Sequence, residues 1–258
     1  MLFVYFVVFV LGLLWGSFCN VCIYRLPNKG NVINSRSKCR SCNGVIRWFD
    51  NIPLISYIIL QAKCRNCKTN IAFRYFVVEL LTALCFVGIF YVYGATITTL
   101  MLIILSIFFV VIFFIDLDHF IIPNELTFPL MIIGFLKSFD PNINLNLFPN
   151  YMESLIGGVF GYILIWGIIT LYMKIRKKEG MGLGDANLLS AIGFWFGWVS
   201  VPIIIFFSSL IGLLYVLPSL INKTKNLSTP IPFGPYLIIG TVVYITFGNQ
   251  IKLLLFYN

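Results

Sequence analysis

The chain has 258 residues, 60% of them hydrophobic and only 10% charged, and its formal net charge is +9. Soluble domains carry about 25% charged residues, so this composition excludes an ordinary water-facing surface. The positive excess would suggest a nucleic-acid partner if it were spread over a soluble surface, but it is gathered into three segments, and no nucleic acid is expected.

Near-uncharged apolar runs of about 20 residues, the length that crosses ~30 Å of hydrocarbon, recur along the chain. They lie near 2–23, 75–93, 96–115, 121–136, 151–173, 186–199, 200–221 and 231–256. The pattern predicts an all-α polytopic membrane protein with about eight transmembrane helices. The fourth and sixth runs are short enough to be tilted, kinked or partly re-entrant. The first lacks a basic start and a small-residue cleavage site and is longer than a typical signal-peptide core, so it is read as a retained helix. Ten of the 18 Lys and Arg fall between Arg25 and Arg74, four between Lys174 and Lys178, and two at Lys223 and Lys225. Eight helices put all three segments on the cytoplasmic side and the N-terminus outside, with Lys137 and Lys252 on the far side.

After the first run, residues 24–74 are polar, basic and rich in Asn, Ser and Cys. A segment this small needs a staple. Cys39-x-x-Cys42 and Cys64-x-x-Cys67, with 21 residues between the pairs, match a zinc-ribbon-like insertion in which each pair offers two thiolates to one tetrahedral ion. Two disulfides or four unrelated thiols are the alternatives, but a cytoplasmic loop is reducing. With four protein ligands and no open position, the zinc would be structural. Cys19 and Cys22 make a third CxxC inside the first helix, where cysteine acts as a small apolar residue, and Cys85 reads likewise. The spacings Gly12 to Gly16 and Gly157 to Gly161 predict close helix packing.

Ionisable groups within or at the ends of spanning segments are candidates for function. Asp116 and Asp118 follow the uncharged run ending at Ile115, and Asp185 follows Gly182-Leu183-Gly184. The expected topology puts Asp116 and Asp185 at the cytoplasmic ends of two helices, at one membrane depth. Two carboxyls brought together in a low-dielectric site cannot both ionise, so they share a proton, which is what an aspartyl protease needs. The glycines before Asp185 allow backbone and substrate to approach closely. From topology alone, helix capping at the interface explains both aspartates equally well.

The opening block Gly16-Ser17-Phe18-Cys19-Asn20-Val21, with Ile23-Tyr24-Arg25-Leu26-Pro27, resembles the start of bacterial type IV prepilin peptidases, and the paired CxxC knuckles follow in that family's order. Similar blocks continue at Asp50 to Tyr57, Arg74-Tyr75, Glu79 to Ala83, Asp116-Leu117, Ile122-Pro123-Asn124, Leu126-Thr127, Gly182 to Asp185 and Pro232 to Pro235. The resemblance implies an intramembrane aspartyl peptidase of the Gly-x-Gly-Asp type in the bacterial inner membrane, with Asp116 and Asp185 catalytic. Its substrates would be single-span pilin or pseudopilin precursors carrying a short basic leader. It also implies a second activity in many members, methylation of the new N-terminus with S-adenosylmethionine. That activity would belong to residues 1–93, and the peptidase to 94–258. Asp118, Gly182, Gly184, Glu79 and Lys63 would support these sites. Glu79 is open to substrate binding, methyl transfer or helix packing, and the lone His119 is read as an interfacial polar residue.

The chain departs from the family's usual residues at three places: Asn187 where Lys is usual, Asn124 where Asp is common, and Ala62 where Gly is common. No glycine-rich cofactor fingerprint is present, so the methyl donor rests on resemblance alone. The basic loop is expected to face anionic lipid headgroups, its own zinc thiolates or acidic substrate groups. A non-enzymatic scaffold gripping a partner through the zinc module, a transporter using the carboxylates as ion sites, and a peptidase without methyltransferase activity are the rival readings.

Overall fold

A computed structural model describes residues 1–32, 37–140, 147–177, 182–221 and 231–256. Lys178, Lys223 and Lys225 lie outside the described residues. Nine helices are seen among these: α1 (Leu2–Arg25), the short α2 (Ile55–Ile59), α3 (Arg74–Tyr93), α4 (Ile97–His119), α5 (Asn124–Leu136), α6 (Tyr151–Arg176), α7 (Leu183–Phe196), α8 (Ser200–Ile221) and α9 (Gly234–Phe256). Eight correspond to the eight apolar runs. The ends differ in an instructive way. Helix α4 continues through Asp116 to His119, because loss of hydropathy does not stop backbone hydrogen bonding. It ends where Phe120 turns to a φ of 57°, ahead of Pro123, which disfavours helix in the residue before it. Helix α7 starts three residues early, so Asp185 sits within its first turn.

Five helices, α1, α3, α4, α6 and α8, are long and apolar enough to cross a membrane, and Gly234–Gly248 of α9 is a shorter apolar stretch. The chain is an integral membrane protein. Helices α5 and α7, of 13 and 14 residues, span only about 20 Å each. The chain divides into two compact units, Met1–Val111 and Ile112–Asn258, with the divide inside α4.

In the first unit α1 lies along α3. A Cβ on Gly12 would stand 2.5 Å from Ala83 Cα, and one on Gly16 would stand 2.7 Å from Glu79 Cα. The small residues therefore set the backbone approach, as their spacing predicts. Buried Asn20 donates from Nδ2 to the Tyr75 carbonyl at 3.0 Å, tying the two helices where apolar contacts give way to polar ones. Cys19 and Cys22 are buried and unbridged, in keeping with an apolar role.

In the second unit α7 is surrounded. It packs on α5, α6, α8 and α9, and Leu188, Leu189, Ile192 and Trp195 are wholly buried, as expected of a helix that is apolar on every side. Gly193 of α7 meets the Gly157 carbonyl of α6, and a Cβ on Gly161 would stand 2.7 Å from the Leu189 carbonyl oxygen. Ser154 and Ser190 donate across this seam to the Phe194 and Gly158 carbonyls at 2.6 and 2.8 Å. Trp195 Nε1 donates to the Leu130 carbonyl of α5 at 2.8 Å. Lys137, at the end of α5, is buried with its ammonium 4.1 Å from the Phe148 ring centre and 5.4 Å from that of Trp195, a cation–π seat.

Ala62 occupies a backbone position with φ of 57°, in the left-handed region that glycine adopts freely and other residues enter at a cost. This explains why glycine suits the position. Ala62→Gly is expected to stabilise the loop by about 1 kcal/mol, read as a rise of about 2–4 °C in the thermal unfolding midpoint of the detergent-solubilised protein.

Candidate functional site

The polar loop of the first unit is built from two matching knuckles. In the first, Cys39 N–H donates to the Gly44 carbonyl, Asn43 N–H donates to the Cys39 carbonyl, and Lys38 pairs with Val45. In the second, Cys64 N–H donates to the Thr69 carbonyl, Lys68 N–H to the Cys64 carbonyl, and Lys63 pairs with Asn70. In each, the residue after the second cysteine turns through positive φ, 55° at Asn43 and 59° at Lys68. The knuckles face each other, and the sulfurs of Cys39, Cys42, Cys64 and Cys67 all lie within 4.8 Å of one another. The Cys39 and Cys67 sulfurs are 3.7 Å apart. A tetrahedral zinc with Zn–S of about 2.3 Å needs sulfurs about 3.8 Å apart, so the four residues fit a structural zinc ion.

The electrostatics of the thiols agree with this fit. Hydrogen bonds from the Thr69 side chain and amide lower Cys67 to about 6, and the amides of Cys42 and Ser41 lower Cys39. The Gly44 amide works the same way on Cys42, but the sulfurs of Cys67 and Cys39 outweigh it and push Cys42 up to about 11. Adjacent thiolates repel, and a divalent ion removes that repulsion.

A bidentate contact fastens the linker to the second knuckle: Arg65 Nη2 and Nε donate to Asp50 at 2.6 and 2.9 Å. The Arg65 hydrogen bond holds the Asp50 carboxyl below its ordinary range. Beneath the knuckles lies a cavity of about 390 Å³, walled by loop residues including Val45, Ile52 and Ile71 and by Tyr75 and Glu79 of α3. Its size falls within the range of small-ligand sites, about 300–1,000 Å³. Lys63 is exposed on the outer edge of its knuckle and forms no part of that wall.

In the second unit both candidate aspartates are buried. Asp116, in the last turn of α4, and Asp185, in the first turn of α7, are only 4% and 8% exposed and lie near enough to interact electrostatically. Asp116 Oδ2 accepts from Gly234 N–H at 2.9 Å. A Cβ on Gly234 would stand 2.7 Å from that same oxygen, so only glycine lets this amide reach the carboxylate. Ile122 lies between the parts: a Cβ on Gly184 would be 2.9 Å from its Cβ, and one on Gly234 would be 3.0 Å from its Cδ1. Gly184 is thus required by close approach. Gly182 is not, since the nearest atoms to its added Cβ are 3.9 and 4.0 Å away, the second being Asp185 Oδ2. Asp118 and His119 are exposed.

The roles of Gly234 and Ile122 were not legible as site chemistry, although both fall in blocks that resemble the family. A second pairing was hidden as well. Asn187 Nδ2 donates to Asn124 Oδ1 at 2.8 Å, so two of the three departures from the usual family residues touch each other. The two amides make a neutral tie between the start of α5 and the N-terminal part of α7.

Comparison with known proteins finds a family match in each part of the chain. The family described as Bacterial Peptidase A24 N-terminal domain matches residues 10–93, and the Type IV leader peptidase family matches residues 103–217. A prepilin leader peptidase/N-methyltransferase of Aeromonas salmonicida (strain A449) is 36% identical, with 95% of this chain and 91% of the relative covered. Proteins of the same name from Pseudomonas aeruginosa and Neisseria gonorrhoeae are 35% and 34% identical, each covering 94% of this chain and 90% of the relative. No solved structure matches. With two buried aspartates in one unit, a four-cysteine cluster in the other, and relatives aligned over nearly its whole length, the chain belongs to the type IV prepilin leader peptidase family.

Proposed function

We propose that Asp116 and Asp185 form the catalytic pair of a peptidase that removes the leader from pilin or pseudopilin precursors. The observation that carries this reading is the burial of two carboxyls from separate helices within reach of each other's charge. One carboxylate takes a proton from a water molecule as that water attacks the scissile carbonyl. The protonated partner supports the developing oxyanion and then passes a proton to the leaving amine. The Gly234 amide orients Asp116 throughout.

The chain lies in the bacterial inner membrane with its N-terminus outside and the zinc loop in the cytoplasm, where the basic residues meet anionic lipid. Residues 94–258 carry cleavage, and residues 1–93 carry methylation of the amine that cleavage exposes. Cys39, Cys42, Cys64 and Cys67 hold a zinc ion that closes the loop over the ends of α1 and α3. S-adenosylmethionine, when bound, supplies the methyl group, and the loop cavity, with Val45, Ile52 and Ile71 on its wall and Arg47 beside them, is where this chain would hold it.

Asp116→Asn and Asp185→Asn are each expected to lower cleavage of a purified prepilin by at least about 10³-fold, with helical circular dichroism unchanged. Retention of a tenth of the wild-type rate by either would remove the catalytic assignment. Cys39→Ser or Cys67→Ser is expected to take bound zinc, measured by mass spectrometry, from about one ion per chain to near zero. For the amide pair, Asn124→Ala and Asn187→Ala are expected to be non-additive in kcat/KM, with a coupling of about 1 kcal/mol in a double-mutant cycle.

A further inference from the structure

Two carboxylates line the cavity of the first unit, Asp50 and Glu79. Asp50 is already neutralised by Arg65. Glu79 is only 9% exposed, five residues and so about 7 Å along α3 from its start. Its partners are neutral. Leu54 N–H donates to its Oε2 at 2.9 Å, the Ser17 hydroxyl of α1 interacts with it, and among the described residues no lysine or arginine forms an ion pair with it. A carboxylate buried without a cation is costly.

The surroundings suit a cation on an apolar stem. Leu54 adopts φ 56° and ψ −47°, a conformation rarely tolerated by a bulky residue and typical of sites where backbone is held for a purpose. That conformation turns its N–H onto Glu79. The wall beside it offers Ile52, Leu54, Tyr57 and Ile71. Arg40, also on the wall, stacks on rings, its guanidinium 4.0 Å from the Tyr24 ring centre and 5.4 Å from that of Tyr75.

We propose that this cavity binds the newly exposed N-terminal ammonium of the cleaved substrate, with Glu79 as the anionic partner of that ammonium. The proposal rests on the reading of residues 1–93 as the methylating part and names the substrate group that part must hold. A pilin cut at the membrane face presents an α-ammonium followed directly by an apolar span. The cavity offers one carboxylate without an ion-pair partner among the described residues, beside the apolar Ile52, Leu54 and Ile71, while its other charged lining residues apart from the Asp50 and Arg65 pair, Lys38, Arg40 and Arg47, come from the first knuckle and the linker after it. The same carboxylate could meet a Lys or Arg of the basic leader, and the test separates the two sources.

Glu79→Gln keeps the side chain's size and an acceptor for Leu54 N–H while removing the charge. Full-length wild type and Glu79→Gln are compared for cleavage of a prepilin, for KM and kcat of methyl transfer, and for binding of three peptides: the cut product with a free amine, the same product N-acetylated, and the excised leader. Wild type is expected to bind the free amine at least about tenfold more tightly than the acetylated form, and the leader is not expected to compete. Glu79→Gln is expected to lose that discrimination and to raise the KM for methyl transfer at least about tenfold, with cleavage within twofold of wild type. Unchanged discrimination in Glu79→Gln, competition by the leader, or parallel loss of cleavage and methylation would each overturn the assignment. A wild-type protein that cleaves but transfers no methyl would instead overturn the methyltransferase reading, and the peptide-binding comparison would still decide the role of Glu79.

Discussion

The backbone seam between α6 and α7 is the constraint on which the second unit depends. Gly193 abuts the Gly157 carbonyl, Gly161 opens onto Leu189, and Ser154 and Ser190 donate across the same line. Lipid chains are as apolar as leucine, so hydrophobic burial gives little drive for helix association within a bilayer, and close packing with polar contacts must supply it. Seating α7 against α6 by its glycines brings most of a 14-residue helix into the interior, from Asp185 to Phe196. Its first turn, with Asp185, then lies at a depth set by packing rather than by a span of lipid.

Around that turn, the second carboxylate is held by backbone. Gly234 donates to Asp116 with no side chain in the way, and Gly184 lets Ile122 close on the start of α7. Donors of this kind need no reorganisation during reaction, which is what makes fixed dipoles effective in a site with little water. The Asn124 to Asn187 hydrogen bond adds a neutral tie between α5 and α7.

The first unit solves a different problem with similar economy. A loop of some 50 residues has too little apolar material for a core, so two knuckles of one design pool four sulfurs into a site sized for zinc. Both knuckles turn through a left-handed residue, and a third left-handed turn at Ala62 precedes Cys64. The floor of the resulting cavity is not loop but helix. Gly16 brings α1 onto Glu79, and Asn20 fixes α1 to Tyr75, so the opening sequence block and the block around Glu79 are two sides of one contact.

Much of this was legible from residue order. Apolar runs of membrane-crossing length set the helix count, because crossing hydrocarbon demands internal backbone hydrogen bonding whatever the neighbours are. The paired CxxC spacing announced the four-cysteine cluster, since knuckle geometry is local, and Gly12, Gly16, Gly157 and Gly161 marked the packing faces for the same reason. What lay beyond the sequence were particular hydrogen bonds between distant segments: Gly234 donating to a residue 118 positions away, Asn124 meeting Asn187, and Leu54 turning its amide onto Glu79. The ends of α4 and α7 also escaped hydropathy, which registers the first charge rather than the last helical hydrogen bond. Local spacing can specify a helix or a knuckle, but which carboxylate receives which amide is decided only when packed helices bring them within 3 Å of each other.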